Sequence, residues 1–398
     1  MIKECNRAWA EVNLDNIVHN LQEIRRLVGT KTKIMAVVKA DAYGHGAVEV
    51  SKTLLKNGAD RLAVGYIDEA IQLRANGISA PIQILSHTFP DRVNEILEYD
   101  VIQTIFNMEL ASELSRVAGR KKKKLKIHVK VDSGMGRLGF PCEGKTVEKI
   151  IQISRMPWIE VEGIMTHFAS ADEDDCGYTL KQFELFMKLC AELDNRGVYI
   201  AIRHAANSAA TINYPQMHLD MVRPGIAIYG LYSGILINKC TINLKPAIAL
   251  KARVINIKQL NKGAFISYGR TYKTKSKRVI ATISIGYADG YPRGLSNRSK
   301  VIINGKIMPL VGTICMDHCM TDVTEIKDDI YLGQEAVLFG RQDNNEIAVD
   351  EIAKTLGTIN YEIVCKIGLR VPRIYYENNK FKNVGPQRFE KKYLILEK

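Results

Sequence analysis

Lys39 ends the apolar run Ile34–Val38 and opens the glycine-flanked loop of AVVKADAYGHG, residues 36–46. A strongly hydrated amine is out of place at the end of a buried strand. Desolvated there, it would have a lowered pKa and could serve as a Schiff-base nucleophile. The competing reading is a lysine that snorkels its amine to the surface. The loop itself, and Ser208 ahead of a helical stretch, could offer backbone N–H groups to a phosphate. An aldehyde cofactor that carries a phosphate uses both features, and pyridoxal 5′-phosphate is such a cofactor.

Other reactive side chains fall at comparable places. Tyr43 follows Lys39, Arg137 closes VDSGMGR, His167 ends GIMTH, and His204 precedes Asn207 and Ser208 in RHAANS. Arg223 and Gly225 lie in VRPGIAIYG. Singly, such a histidine is a satisfied structural residue and such an arginine a salt-bridge partner. Their recurrence at the ends of successive apolar runs points to one shared rim. KIHVKVD adds a puzzle: alternation puts Ile127, Val129 and Val131 on one face and His128, Lys130 and Asp132 on the other. If both faces are buried, Lys130 must be paired, shift its pKa or be modified; an ion pair with Asp132 is the plain alternative.

The elements that must position these groups alternate through the first 240 residues. Strands are expected at Ile34–Val38, Leu62–Tyr66, Pro81–Leu85, Val101–Phe106, Leu125–Val131, Val161–Thr166, Tyr199–Arg203 and Met221–Tyr229. Helical patterns separate them, and one more, Leu14–Val28, precedes the first strand. Eight strand–helix repeats predict an α/β fold, a (β/α)8 TIM-like barrel, whose chemistry gathers at the C-terminal ends of the strands. After residue 240 the chain becomes short β-rich runs, and Asn304-Gly305 signals a type I′ hairpin. The expected division is a barrel over 1–240, a mostly β C-terminal domain over 241–376, and a loosely held basic tail over 377–398.

The bulk composition, 46% hydrophobic and 25% charged, is that of a globular protein. The net charge of +13 is spread along the chain, and its one dense cluster, Arg120–Lys124, reads as a solvated turn. Nucleic acid is therefore not the expected partner, and an anionic ligand suits the charge. Eight widely and irregularly spaced cysteines contain no CxxC pair, so neither a disulfide framework nor a metal site is expected. Without a long apolar run or a signal-like start, no membrane association is expected and the expected location is the cytoplasm.

Together AVVKADAYGHG, KVDSGMGRLGF, GIMTHFASADE, RHAANSAA, VRPGIAIYG, SYGRTY, GYADGYPR, VGTICMD and TINYEIVCKIGLRVPRIYY resemble, in order, the sequence blocks of the alanine racemase family. The resemblance runs from about Trp9 to Tyr375. It implies a pyridoxal-phosphate enzyme and a homodimer, with each active site shared by one barrel and the partner's β domain. Lys39 would hold the cofactor. Tyr43, Ser208, Gly225, Ile226 and Tyr361 would contact its phosphate, and His204 and Asn207 would also bind the cofactor. Arg223 would face the pyridine nitrogen and Arg137 the phenolic oxygen. Lys130 matches a position carbamylated in many members, where the carbamate orients Arg137. Arg137, Met316 and Tyr287 would meet the substrate.

Racemisation removes the α-proton from one face and returns a proton to the other, so two opposed groups are needed. The resemblance assigns them to Lys39, for the D-enantiomer, and to Tyr268 of the other subunit, for the L-enantiomer, supported by His167 and Arg223. The family expectation is L-alanine and D-alanine interconversion that supplies D-alanine for peptidoglycan. The alternatives are a broader amino-acid racemase acting on serine, a decarboxylase on the same architecture, and a non-catalytic cofactor carrier. Retention of Tyr361 favours a small substrate side chain, SYGRTY counts against the decarboxylase, and the β domain against the carrier.

Overall fold

The computed structural model describes residues 7–234 and 241–385. Backbone contacts divide the chain into two units. One comprises Asn16–Tyr43 and Ala47–Lys245; the other comprises the chain up to Asp15, Gly44–Gly46 and the chain from Pro246 onward. The first strand in the chain, β1 (Ala8–Asn13), belongs to the second of these.

The first unit is a nearly closed (β/α)8 barrel. Its strands are β2 (Lys33–Val37), β3 (Arg61–Val64), β4 (Ile82–Ile84), β5 (Ile102–Ile105), β6 (Leu125–Asp132), β7 (Ile159–Met165), β8 (Ile202–His204) and β9 (Met221–Val222), all paired in parallel. β9 pairs with β2, and Asp220 N–H to Arg203 O (3.1 Å) and Arg223 N–H to Ala206 O (2.9 Å) join it to the end of β8. Helices follow the strands as the apolar spacing predicts, and Leu14–Val28 appears with the expected bounds. In β6, every residue from Ile127 to Val131 is buried, because helices cover one face of a barrel strand and the packed interior covers the other.

Two expectations for this unit are corrected. The eighth strand stops at Val222 rather than running to Tyr229. Pro224 lacks an N–H for a ladder, and Ile226–Tyr229 winds into a 3-10 turn that ends at Gly230, φ +81°. Arg223 and Gly225 therefore stand just past the strand. The seventh strand is Ile202–His204, with Tyr199 exposed ahead of it.

The second unit is a large mixed sheet. β10 (Ile248–Leu260) pairs antiparallel with β1, β11 (Arg278–Ile283) and β12 (Glu335–Gln342). A hairpin of Lys300–Ile303 and Lys306–Pro309 turns at Asn304 and Gly305, φ +52° and +66°, the left-handed pair that a type I′ turn requires. β1 has no counterpart among the strands expected from the sequence. It pairs antiparallel with β10 and parallel with β13 (Arg373–Glu377), so the N-terminal segment belongs with the β unit rather than the barrel. The expected tail begins as a strand, since Lys380–Val384 pairs antiparallel with β13. The apolar YLILE cluster lies outside the described residues, as do Cys5 and Cys240.

Among the described residues, no helix is long and apolar enough to cross a membrane. The six described cysteines are free thiols.

Candidate active site

Lys39 follows β2, and the residues after it form a left-handed turn. Ala40, Asp41 and Ala42 have φ/ψ of 52/50°, 54/48° and 53/50°, and Tyr43 has φ +53°. Each such residue costs roughly 1–2 kcal/mol when it is not glycine, so the turn persists only if its surroundings hold it. They do. Ala42 N–H donates to Val38 O (2.9 Å), Ala40 N–H to Glu69 Oε1 (2.6 Å) and Ala47 N–H to Asp41 Oδ1 (2.8 Å). Glu69 Oε2 also accepts Gly65 N–H (2.6 Å), tying the ends of β2 and β3 together. The Tyr43 ring packs on Tyr229 with centroids 4.9 Å apart, and Tyr229 Oη donates to Val37 O.

Tyr43 also meets Gly225. A Cβ at position 225 would lie 2.5 Å from the Tyr43 oxygen, so only glycine leaves this cradle open. Ser208 Oγ accepts Gly225 N–H (2.8 Å) and Ala227 N–H (3.3 Å), and Asn207 Oδ1 accepts Ala210 N–H (2.9 Å). Tyr43, Ser208, Gly225 and Ile226 are buried.

Arg223 is buried and fully engaged. It donates to Thr166 O (2.7 Å) and Ala205 O (2.9 Å), and it reaches His204 Nδ1 (2.8 Å) and His167 Nδ1 (3.3 Å). Burial lowers its pKa to about 9, which still leaves it charged at neutral pH. Burial first, then the charges of Arg223, Arg137, Lys130 and Lys39, hold His167 well below the ordinary imidazole value. A guanidinium only donates, so the group facing His167 Nδ1 offers it no acceptor.

Lys130 is 4% exposed. Burial, followed by Arg137 and Arg223, pushes its amine down to about 8, against one opposing carboxylate, Asp132. That carboxylate is already committed to the loop: Gly134, Gly136 and Arg137 donate their N–H groups to it at 2.9, 3.1 and 3.2 Å. A simple Lys130–Asp132 ion pair therefore does not account for this lysine. Arg137 itself is exposed.

The β unit carries the other predicted residues. Tyr268 stands on a turn with φ of +64° at Ser267, +73° at Gly269 and +52° at Arg270. Thr313 Oγ1 donates to Tyr268 O (2.8 Å) and Ser267 Oγ to Thr313 O (2.6 Å). The Cys315 sulfur lies 3.4 Å from Ser267 Oγ, and Tyr287 N–H and Ala288 N–H donate to Cys315 O and Met316 O. Tyr268, Met316 and Tyr287 thus form one cluster, and all three are exposed. Tyr361 is half-buried in the helix Asn360–Cys365, and it too is a residue of this unit rather than of the barrel.

Glu69, His128 and Glu162 were not anticipated as site residues. Glu69 had a signal: it lies three residues after Tyr66, where a carboxylate caps a helix start. Glu162 had none, because its role depends on a shift of strand register.

Residues 12–233 match the family model of the alanine racemase N-terminal domain, and residues 247–375 that of its C-terminal domain. The chain is 47% identical over 376 residues to the alanine racemase of Clostridium tetani, covering 94% of this chain and 97% of that protein. Its fold matches the alanine racemase structure of Clostridium difficile 630 with a TM-score of 0.92 at 42% identity, covering 96% and 99% of the two chains. A Bacillus anthracis alanine racemase structure with bound L-Ala-P matches with a TM-score of 0.90 at 41% identity, covering 95% and 97%. With both domain models matched in order and relatives aligned over nearly its whole length, the chain belongs to the alanine racemase family.

Proposed function

We propose that this protein interconverts L-alanine and D-alanine with pyridoxal 5′-phosphate as cofactor, working as a homodimer in the cytoplasm and supplying D-alanine for peptidoglycan. The observation that carries this reading is the convergence at one barrel rim of Lys39, a charged Arg223, a neutral His167 and the Tyr43–Gly225–Ser208 cradle. The donor set suits the cofactor: an amine for its aldehyde, and hydroxyl and backbone N–H groups around a space that a Cβ at Gly225 would fill for its phosphate. Lys39 would hold it, with Tyr43, Ser208, Gly225, Ile226 and Tyr361 at the phosphate. His204 faces Arg223, and Asn207 caps the helix that begins at Ser208. When bound, the cofactor supplies the electron withdrawal that makes the α-proton removable.

The chain's own residues then move the proton. Lys39 serves one face of the α-carbon, taking the proton from D-alanine. Tyr268 of a second copy serves the other face, taking the proton from L-alanine. His167 supports that phenol. Its Nδ1 accepts from Arg223, so its Nε2–H is the free donor, and it steadies the phenolate without becoming charged. Arg223, donor-only, disfavours a proton on the pyridine nitrogen. Arg137 would bind the substrate, with Met316 and Tyr287 supplied, like Tyr268, by a second copy. Lys130 is the carbamylation site; as a carbamate it becomes an anionic partner for Arg137, which relieves a buried amine crowded by positive charge. Labelled bicarbonate followed by 13C NMR tests that modification.

A coupled D-alanine assay and borohydride reduction with peptide mapping test the whole reading. The expected result is racemisation of alanine and a cofactor trapped on Lys39. A cofactor mapped to any other lysine overturns it.

A further inference from the structure

The barrel interior holds a polar chain that the racemase reading leaves unused. Beyond Arg223, His204 Nε2 lies 2.7 Å from His128 Nδ1, and His128 Nε2 lies 3.0 Å from Glu162 Oε2. Glu162 also meets Arg61 and Lys126. His128 and His204 are fully buried.

The two ends of this chain differ in kind. A guanidinium only donates, and an ionised carboxylate only accepts. Burial opposes the Glu162 charge, but hydrogen bonds from His128, Arg61 and Lys126 hold its carboxyl well below the usual range. His204 Nδ1 must then accept from Arg223, so its proton is on Nε2. That proton is donated to His128 Nδ1, and the His128 proton, on Nε2, goes to Glu162. A single proton order satisfies every link, with both rings neutral. Reversing it would turn an N–H of His204 toward an N–H of Arg223.

The backbone is shaped for this chain. Ile127 pairs with Val161, but His128 pairs with Gly163, which leaves Glu162 as an extra residue in β7. Bulges of this kind re-aim a side chain and are rare between parallel strands. Beside it, a Cβ on Gly163 would lie 2.5 Å from the His128 ring, so glycine makes the room that histidine fills.

We propose that Glu162 and His128 are positioning residues for racemisation: by fixing the proton order they keep His204 Nδ1 an acceptor and so hold Arg223 in one orientation. This rests on the racemase reading. Two measurements on the holoenzyme test it. Histidine-selective 15N labelling should show His128 and His204 as neutral rings protonated on Nε2 at neutral pH. Finding either ring as an imidazolium or protonated on Nδ1 overturns the proposal. Glu162→Gln keeps the side-chain shape but removes the charge that fixes the far end of the chain and offers His128 a donor as well as an acceptor, so Arg223 alone is left to set the order. It should lower kcat in both directions on the order of tenfold, with KM changed by less than about twofold. His128→Phe should lose at least as much; should it fail to fold, Glu162→Gln carries the kinetic test. Wild-type kcat in a natively melting Glu162→Gln overturns the positioning role. Absence of racemisation by the wild type sinks the racemase reading instead, and the protonation of the two rings still tests the proton order independently.

Discussion

The barrel rim and the Tyr268 cluster of the β unit are built in opposite ways. At the rim, the functional side chains are mostly buried and tied to each other: Arg223 reaches four acceptors, and Tyr43 is fixed by Tyr229 and Gly225. In the β unit the backbone is tied and the side chains are not sheltered: Tyr268 is 73% exposed on a turn anchored through Thr313. Burial gives the rim its chemistry within one chain, shifting His167 and Lys130 before any ligand arrives. Tyr268 has no such burial.

The largest test of this contrast is Lys39→Ala. Racemisation should fall at least ~10³-fold in the coupled assay, and borohydride should trap no cofactor. Tyr268→Phe should also stop net racemisation, by ~10²-fold or more, yet spare half of the chemistry. Solvent deuterium should still enter D-alanine, through Lys39, and no longer enter L-alanine. Equal loss of exchange in both enantiomers would show that the two regions do not serve opposite faces.

Glu69→Ala tests the rim's anchoring. It leaves the N–H groups of Ala40 and Gly65 without their carboxylate, a cost of roughly 1–3 kcal/mol, felt as a lower Tm and looser cofactor binding. Acid tests its burial. His128 and His204 are held below the ordinary 6.5 in the folded state, first by burial. The unfolded chain therefore binds more protons as pH drops below 6.5, and stability falls from there downward. Glu162, whose folded pKa is depressed, adds a further loss at lower pH. Melting at pH 7.5 and 5.5 should show the decline, and His128→Phe should flatten it. The smallest effect is in the β unit: Thr313→Val removes the hydroxyl's hydrogen bonds to Tyr268 O and Thr271 Oγ1, about 1 kcal/mol each, and should lower kcat/KM while leaving cofactor binding unchanged.

Much of this was legible in the sequence because it is local. Apolar runs at strand spacing located seven of the barrel strands within a few residues and the start of the eighth, and Asn304-Gly305 named its turn type. Polar residues at the ends of those runs marked the rim, since a barrel brings its strand ends together. What escaped depends on pairing across long stretches of chain. The segment Ala8–Asn13 looks like a lead-in to a helix until β10 and β13 flank it. The left-handed turn after Lys39 is equally hidden, because Ala40 and Ala42 have no preference for φ near +53°.

By itself the sequence determined which side chains meet at the barrel rim, because strand periodicity and chain order decide which residues end a strand. Only the tertiary structure decided the states of those side chains. Whether Lys130 is crowded by like charge, which groups face the ring nitrogens of His167, His204 and His128, and that Glu162 reaches His128 at all follow from burial and from a one-residue register shift in β7. Those are properties of neighbours distant in sequence, and no local pattern records them.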